Sequence, residues 1–240
     1  MLKFICICVI SILAGISQGV CGFGAGILAM MVLPLFYSIS VSAGIAGVGS
    51  LVLTFLMVLR YRNDFKLKKV ITPLIIYAIA SALAIRYSSA VDQALLKRIF
   101  GGFLIVLTLY HFFLSKKKVE KWSIPVAVLA WAFSGMCSGL FSVGGPLMVL
   151  YYISNTSSKE EFLGTTECLF FLNLIMSTFL RIQNGTLTAS LIPVMLIFIG
   201  GICVGLLIAN KIVDRIDAVK LKNVVYIGVG VSGVLNVLAL

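Results

Sequence analysis

Residues 15–34 read GISQGVCGFGAGILAMMVLP and interrupt an apolar run that begins at Leu2 and continues to Tyr37. As one helix that run would measure roughly 50 Å, at about 1.5 Å per residue. A bilayer core needs only about 20 residues, so a single straight helix is too long. Glycines at 15, 19, 22, 24 and 26 mark where it breaks. Glycine costs about 1 kcal/mol in a helix interior and lets the backbone turn or approach a partner closely. The competing reading is one long tilted span whose GxxxG pairs, Gly15/Gly19 and Gly22/Gly26, serve a helix–helix contact.

A second copy favours the break. In GMCSGLFSVGGP, Gly135, Gly139 and Gly144 stand 120 residues after Gly15, Gly19 and Gly24, half of the 240-residue chain. Pro73 and Pro193 share that offset; Arg60 and Asn63 match Arg181 and Asn184 at 121, and Arg86 and Asp92 match Lys211 and Asp217 at 125. Ordered matches with a slowly drifting offset are the mark of a duplicated unit. The chain reads as two related halves, 1–118 and 119–240, each opening with a broken apolar segment.

The composition, 61% hydrophobic and 11% charged with mean hydropathy +1.15, excludes a soluble domain and indicates an all-α polytopic membrane protein. The net charge of +11 comes from 19 basic against 8 acidic residues. Most of the basic residues sit in short connections, as topology determinants facing anionic lipid rather than a nucleic-acid surface. The six cysteines (6, 8, 21, 137, 168 and 203) fall in apolar stretches without a CxxC pair or a neighbouring histidine. They read as small buried hydrophobes, neither a disulfide frame nor a metal site. The first 20 residues resemble a signal peptide, but the apolar run resumes at Phe23 without a clear cleavage site, so the segment is expected to be retained.

Eight apolar segments are expected: 2–37 (broken), 43–60, 71–88, 97–114, 123–153 (broken), 164–182, 191–210 and 222–240. If segments one and five each crossed once, the basic residues would divide 11 against 8 between the two sides; if each folds into a hairpin, they divide 14 against 5. Basic residues in short loops favour the cytoplasm, so the hairpin arrangement separates them better. Each half is then a broken-helix hairpin plus three transmembrane helices, an odd number of crossings, and the second half is inverted relative to the first. Both ends of the chain are expected outside, with the 60–70, 115–121 and 211–222 connections inside. The short arms favour shallow or tilted hairpins over full crossings. Inverted repeats with helices broken near the midplane are the plan of many secondary transporters.

A hairpin tip in a bilayer leaves backbone N–H groups that hydrocarbon cannot satisfy, and it is tolerated only around a cavity. The second arm starts at the tip, so its N-terminus carries partial positive charge and free donors, a site for an anion. Two tips meeting from opposite leaflets would frame one small oxyanion. The expected binding residues are the tip glycines Gly22, Gly24, Gly26, Gly144 and Gly145, with Gln18, Ser138 and Ser142 beside them. Thr166 and Asn173 on the sixth segment join these, with Thr165, Ser177 and Thr178 as neighbouring candidates. Each hydroxyl or amide also has a plainer reading, a bond within its own helix or to a neighbour. Arg181 could recruit an anion at an outer vestibule or simply snorkel to the interface. Glu167 reads as a first-turn carboxylate suited to the helix dipole, with proton coupling as a lesser alternative. His111 reads as interfacial. No cofactor is expected, and no nucleophile–base–acid set points to an enzyme.

GFGAG (22–26) with Pro34, GLFSVGGPL (139–147), and the stretch 164–217 from GTT through LRIQNG to DRID resemble the sulfite exporter TauE/SafE family of bacterial membrane permeases. The resemblance covers nearly the whole chain. It implies a multi-pass protein of the bacterial inner membrane that carries a small sulfur-containing oxyanion, such as sulfite, a sulfonate or sulfoacetate; the bilayer is its expected partner, and a homodimer is a general expectation for membrane carriers that the sequence itself does not reveal. Direction and substrate vary among members. Two residues depart from the family's pattern: Pro146 stands where a further glycine is common, and Ala25 lies among the first cluster's glycines. A carboxylate carrier and a non-transporting scaffold are the alternatives.

Overall fold

The computed structural model describes residues 2–21, 24–88, 90–113, 122–212 and 218–238. Ten α-helices and no strand are present among them: α1 Leu2–Cys21, α2 Ala25–Val32, α3 Ile39–Arg60, α4 Leu67–Ser88, α5 Gln93–Phe113, α6 Ile124–Phe141, α7 Gly145–Asn155, α8 Lys159–Gln183, α9 Ile192–Ile212 and α10 Ala218–Leu238. Seven of these regions are long and apolar enough to cross a membrane, and the described part of α10 is a shorter apolar helix. The chain is a multi-pass membrane protein. Its surface agrees: α4 exposes Ile71, Ile75, Ile79 and Leu83 at helical spacing, while Tyr77, Ser81 and Ile85 on the opposite face are buried. Apolar residues facing out and hydroxyls facing in suit a helix between lipid and a polar interior.

Both long apolar segments are broken. The first divides into α1 and α2, with Gly24 at φ 113°. The second divides into α6 and α7, with Ser142 at φ 54°. The arms are unequal. α1 and α6 have 20 and 18 residues, near the span of a bilayer core, whereas α2 and α7 have 8 and 11. Short 3₁₀ turns at Leu33–Leu35 and Ala189–Leu191 precede α3 and α9.

The glycines divide between the two uses the sequence allows. Gly15, Gly19, Gly135 and Gly139 lie inside helices. A Cβ on Gly15 would strike the Ile202 carbonyl, and one on Gly135 the Tyr77 carbonyl. These small residues let α1 lie against α9, and α6 against α4, backbone to backbone. Breaking falls to the later glycines of each cluster.

Close contacts also fix the helix directions. Ser11, Gly15 and Gly19 of α1 meet Gly201, Ile202 and Ala209 of α9, so these two run parallel. Gly135 and Gly139 meet Tyr77 and Ser81, so α6 and α4 also run parallel. α3 and α8 are antiparallel, with Ser40 at Arg181 and Tyr61 at Gly164. So are α5 and α10, with Gly101 at Gly233 and His111 at Asn223. Arg60 reaches Asn210, and Lys66 and Lys69 pair with Glu161. The end of α3, the start of α4, the start of α8 and the end of α9 therefore share one basic end of the bundle. The 115–121 connection and residues 213–217 lie outside the described residues.

Polar sequence, not hydropathy, fixes where α8 begins. Ser158 accepts from the Glu161 N–H at 3.1 Å, and the Glu161 carboxylate accepts from the Ser157 N–H at 3.2 Å. Ser158 is thus the N-cap, and the Glu161 carboxylate reaches back one residue beyond it, a variant of the capping box that starts the helix at Lys159 rather than at 164.

Candidate functional site

The two breaks meet. A Cβ on Gly26, in the first turn of α2, would run into the Ser142 carbonyl of the second break. Ser142 Oγ in turn donates to the Ala43 carbonyl of α3 at 2.6 Å. Between the breaks lies a cavity of about 60 Å³ lined from both halves, by Gln18, Gly24 and Gly26 on one side and Ser138, Gly144 and Gly145 on the other. At about 10–15 Å³ per water-sized body it has room for about four to six, the scale of a small oxyanion.

α2 and α7 both begin at this cavity, with Gly24 and Gly144 as their N-caps. The first N–H groups of a helix have no partner inside it, and the helix dipole adds partial positive charge there. Pro146 occupies the opening turn of α7, where its missing N–H costs nothing and its fixed φ favours helix. The proline that departs from the family's glycine pattern therefore starts the second arm. Ala25 opens α2, fully buried, and its N–H donates to Gln18 Oε1 at 3.1 Å.

Gln18 is bound at both ends. Its Nε2 donates to the Glu167 carboxylate at 2.9 and 3.3 Å. Glu167 is fully buried and lies well beyond the first turn of α8, because that helix starts at Lys159. The dipole reading from the sequence is corrected: Glu167 is an interior carboxylate facing the first hairpin. On the other wall, Asn173 Nδ2 donates to Ser138 Oγ at 3.3 Å and to Ser177 Oγ at 3.2 Å. Asn173 Oδ1 is buried without a hydrogen-bond partner. Ser177 Oγ already donates to the Asn173 backbone carbonyl at 2.8 Å, so it accepts from the amide and leaves Oδ1 as the open acceptor.

Of the residues expected from the sequence, Gln18, Gly24, Gly26, Ser138, Ser142, Gly144, Gly145 and Asn173 line this cavity. Gly22 lies outside the described residues. Thr166 is fully buried on α8, its Oγ1 without a partner, and is not among the lining residues. Arg181 is neither at an outer vestibule nor snorkelling. It is 2% exposed, and its guanidinium donates to the Ser40 and Gly139 carbonyls, tying the start of α3 to the last turn of α6.

Ser50, Thr54, Tyr77 and Phe170 also line the cavity, and sequence reasoning missed them. A signal existed for two. Ser50 and Thr54 precede Asn173 and Ser177 by 123 residues each, within the drift of the duplication. Searches among curated proteins and solved structures returned no match. The family model described as sulfite exporter TauE/SafE matches residues 7–235, nearly the whole chain. With seven regions able to span a membrane, and a small donor-lined cavity where two broken helices meet, the chain belongs to the sulfite exporter TauE/SafE family.

Proposed function

We propose that this protein is a secondary carrier that binds a small sulfur oxyanion, such as sulfite or a sulfonate, between its two hairpin tips and releases it by alternating access. The observation that carries the reading is the meeting of the α2 and α7 N-termini at one cavity. Two converging sets of backbone donors suit an anion whose oxygens point both ways. Ser138 adds a hydroxyl and Asn173 an amide, and Tyr77 and Phe170 bound the space. The opposed directions of matched helices support an inverted repeat. α1 runs parallel to α9 and α6 to α4, while α3 opposes α8 and α5 opposes α10, as expected when 119–240 is the inverted counterpart of 1–118. The cavity then sits near the midplane of a bacterial inner membrane.

Purified protein in proteoliposomes, offered sulfite, methanesulfonate, sulfoacetate and acetate, should show saturable flux of at least one sulfur anion. Gly24→Val and Gly144→Val should abolish that flux while the proteins still insert. Valine is closed to the φ of 113° at Gly24, and at Gly144 it would meet the Tyr77 hydroxyl and the Ser134 carbonyl. Flux of acetate alone would transfer the site to carboxylates, and no flux or binding of any of these anions would end the carrier reading.

A further inference from the structure

Resting on that carrier reading, we propose that Glu167 is the site of a coupling proton, and that Gln18 converts its protonation into anion binding at the N-terminus of α2. The geometry is specific. Gln18 sits between a carboxyl group and a helix N-terminus, with its Nε2 on Glu167 and its Oε1 on the Ala25 N–H. All three groups are buried, and Gln18 lines the cavity. The Ala25 N–H can only donate, so it holds the amide oxygen. That leaves the NH₂ end facing Glu167, the arrangement an ionised carboxylate requires. In this state the first donor of α2 is already occupied.

Adding a proton to Glu167 turns one of its two oxygens from an acceptor into a donor. That O–H needs an acceptor, and turning the Gln18 amide over supplies one in Oε1. Turning the amide to meet it brings Nε2 to the side of the Ala25 N–H. Two donors then face one point at the edge of the cavity, and an anion oxygen satisfies both. One proton taken up thus creates one anion position, and losing it restores the amide to Ala25. Coupling of this kind is reciprocal, so bound anion holds the proton on Glu167 as firmly as the proton holds the anion.

No competing charge replaces Glu167 in this relay. On the elements packed against α8, the titratable side chains are engaged elsewhere or lie apart. Arg60 at the end of α3 donates to Asn210, Lys66 and Lys69 at the start of α4 pair with Glu161, and Arg86 is at the far end of α4. Tyr77 of α4 lines the opposite side of the cavity against Gly144. Tyr152 of α7 donates to the Lys69 carbonyl, and its neighbour Tyr151 packs against Trp131. On α8 itself Cys168 is buried, and Arg181 is held by two carbonyls. Among the described residues Gln18 is the hydrogen-bond partner of Glu167.

The test compares wild type with Glu167→Gln, whose neutral amide donates to Gln18 as a protonated carboxyl group does. Sulfite and methanesulfonate are the probes, with a trapped pH dye in proteoliposomes and binding measured in detergent. Wild type should move protons with the anion, and its apparent affinity should weaken by about tenfold per pH unit above the carboxyl titration. Glu167→Gln should bind at every pH as wild type binds in acid, and should move no protons. Sulfite's own titration is common to both proteins and cancels in the comparison. Identical pH profiles in the two proteins overturn the proton site and leave the carrier standing; loss of all flux and binding in wild type overturns both. An infrared titration of ligand-free protein reads the group directly: the carboxyl band missing from Glu167→Gln must appear as pH falls, and a carboxyl fixed in one state overturns the proposal. If Glu167→Gln does not fold, Gln18→Leu should keep that band titrating while sulfite affinity loses its pH dependence; retained pH dependence overturns the relay.

Discussion

Arg181 separates a structural role from a binding role with a calculable outcome. Its guanidinium is buried against two carbonyls that differ in their other partners. Ser40 lies in the first turn of α3, so its carbonyl keeps a helical N–H partner when the arginine is removed. Gly139 lies in the last turn of α6, where carbonyls lack helical partners; the Ser142 N–H is already taken by Ser138. Arg181→Met fills similar space and removes both bonds. Leaving one buried carbonyl unsatisfied costs about 1–3 kcal/mol. Relief from burying a cation offsets part of the loss of charge-assisted bonding. The net expectation is a destabilisation of about 1–3 kcal/mol, or a fall in Tm of roughly 2–12 °C at this chain length. Arg181→Lys, with one point charge in place of a fork, should recover part of it. Thermal unfolding in detergent, beside the KM for sulfite flux, is the assay. An unchanged Tm with a KM raised tenfold or more would refute the structural role and return Arg181 to the anion path.

Three further outcomes follow from the packing. Gly15→Leu should destabilise the α1–α9 contact by about 1–3 kcal/mol or more, because the added Cβ strikes the Ile202 carbonyl and lies 3.0 Å from the Leu206 N–H; Gly200→Leu, with nothing within 4 Å of its Cβ, should stay within about 0.5 kcal/mol. Lys69→Ala should cost about 1 kcal/mol, since it removes a half-exposed ion pair with Glu161 at 2.8 Å and a bond to the Asn155 carbonyl at 2.6 Å, and the ionic share should shrink at high salt. Single cysteines placed in 37–42 and in 154–162 of a cysteine-free chain should label from opposite sides of the membrane, and labelling from one side would refute the hairpin in the second half.

Hydropathy and the repeated glycines carried most of the fold. They located the two breaks because a run far longer than a bilayer core cannot stay straight. They did not say which glycines break and which pack. Gly15 and Gly135 look like Gly24 and Gly144 in sequence, but their roles depend on the carbonyl that α9 or α4 brings alongside. Glu167 was misplaced for a local reason. The apolar run starts at 164, but Ser158 and Glu161 cap α8 earlier, so the carboxylate sits deeper than hydropathy indicates. Arg181 was misplaced for a distant one. A charge at the end of an apolar run looks interfacial until the last turn of α6, some 40 residues earlier in the chain, is packed against it. Ser50 and Thr54 read as ordinary hydroxyls within an apolar span, and only their alignment with Asn173 and Ser177 distinguishes them.

The breaks and the cavity require one another. A helix interrupted inside lipid leaves peptide groups unpaired at several kcal/mol each, and here a nearby side chain, a distant one and the backbone itself meet several of them. Gln18 takes the Ala25 N–H, Arg181 takes the Gly139 carbonyl, and the turn at Ser142 returns its own N–H to Ser138. The first residues of α2 and α7 line the cavity, and the N–H groups that open a helix have no partner inside it. Filling that space with apolar side chains would orphan those donors, and straightening either helix would remove the reason for the space. The geometry that makes the breaks costly to fold is therefore the same geometry that opens the cavity.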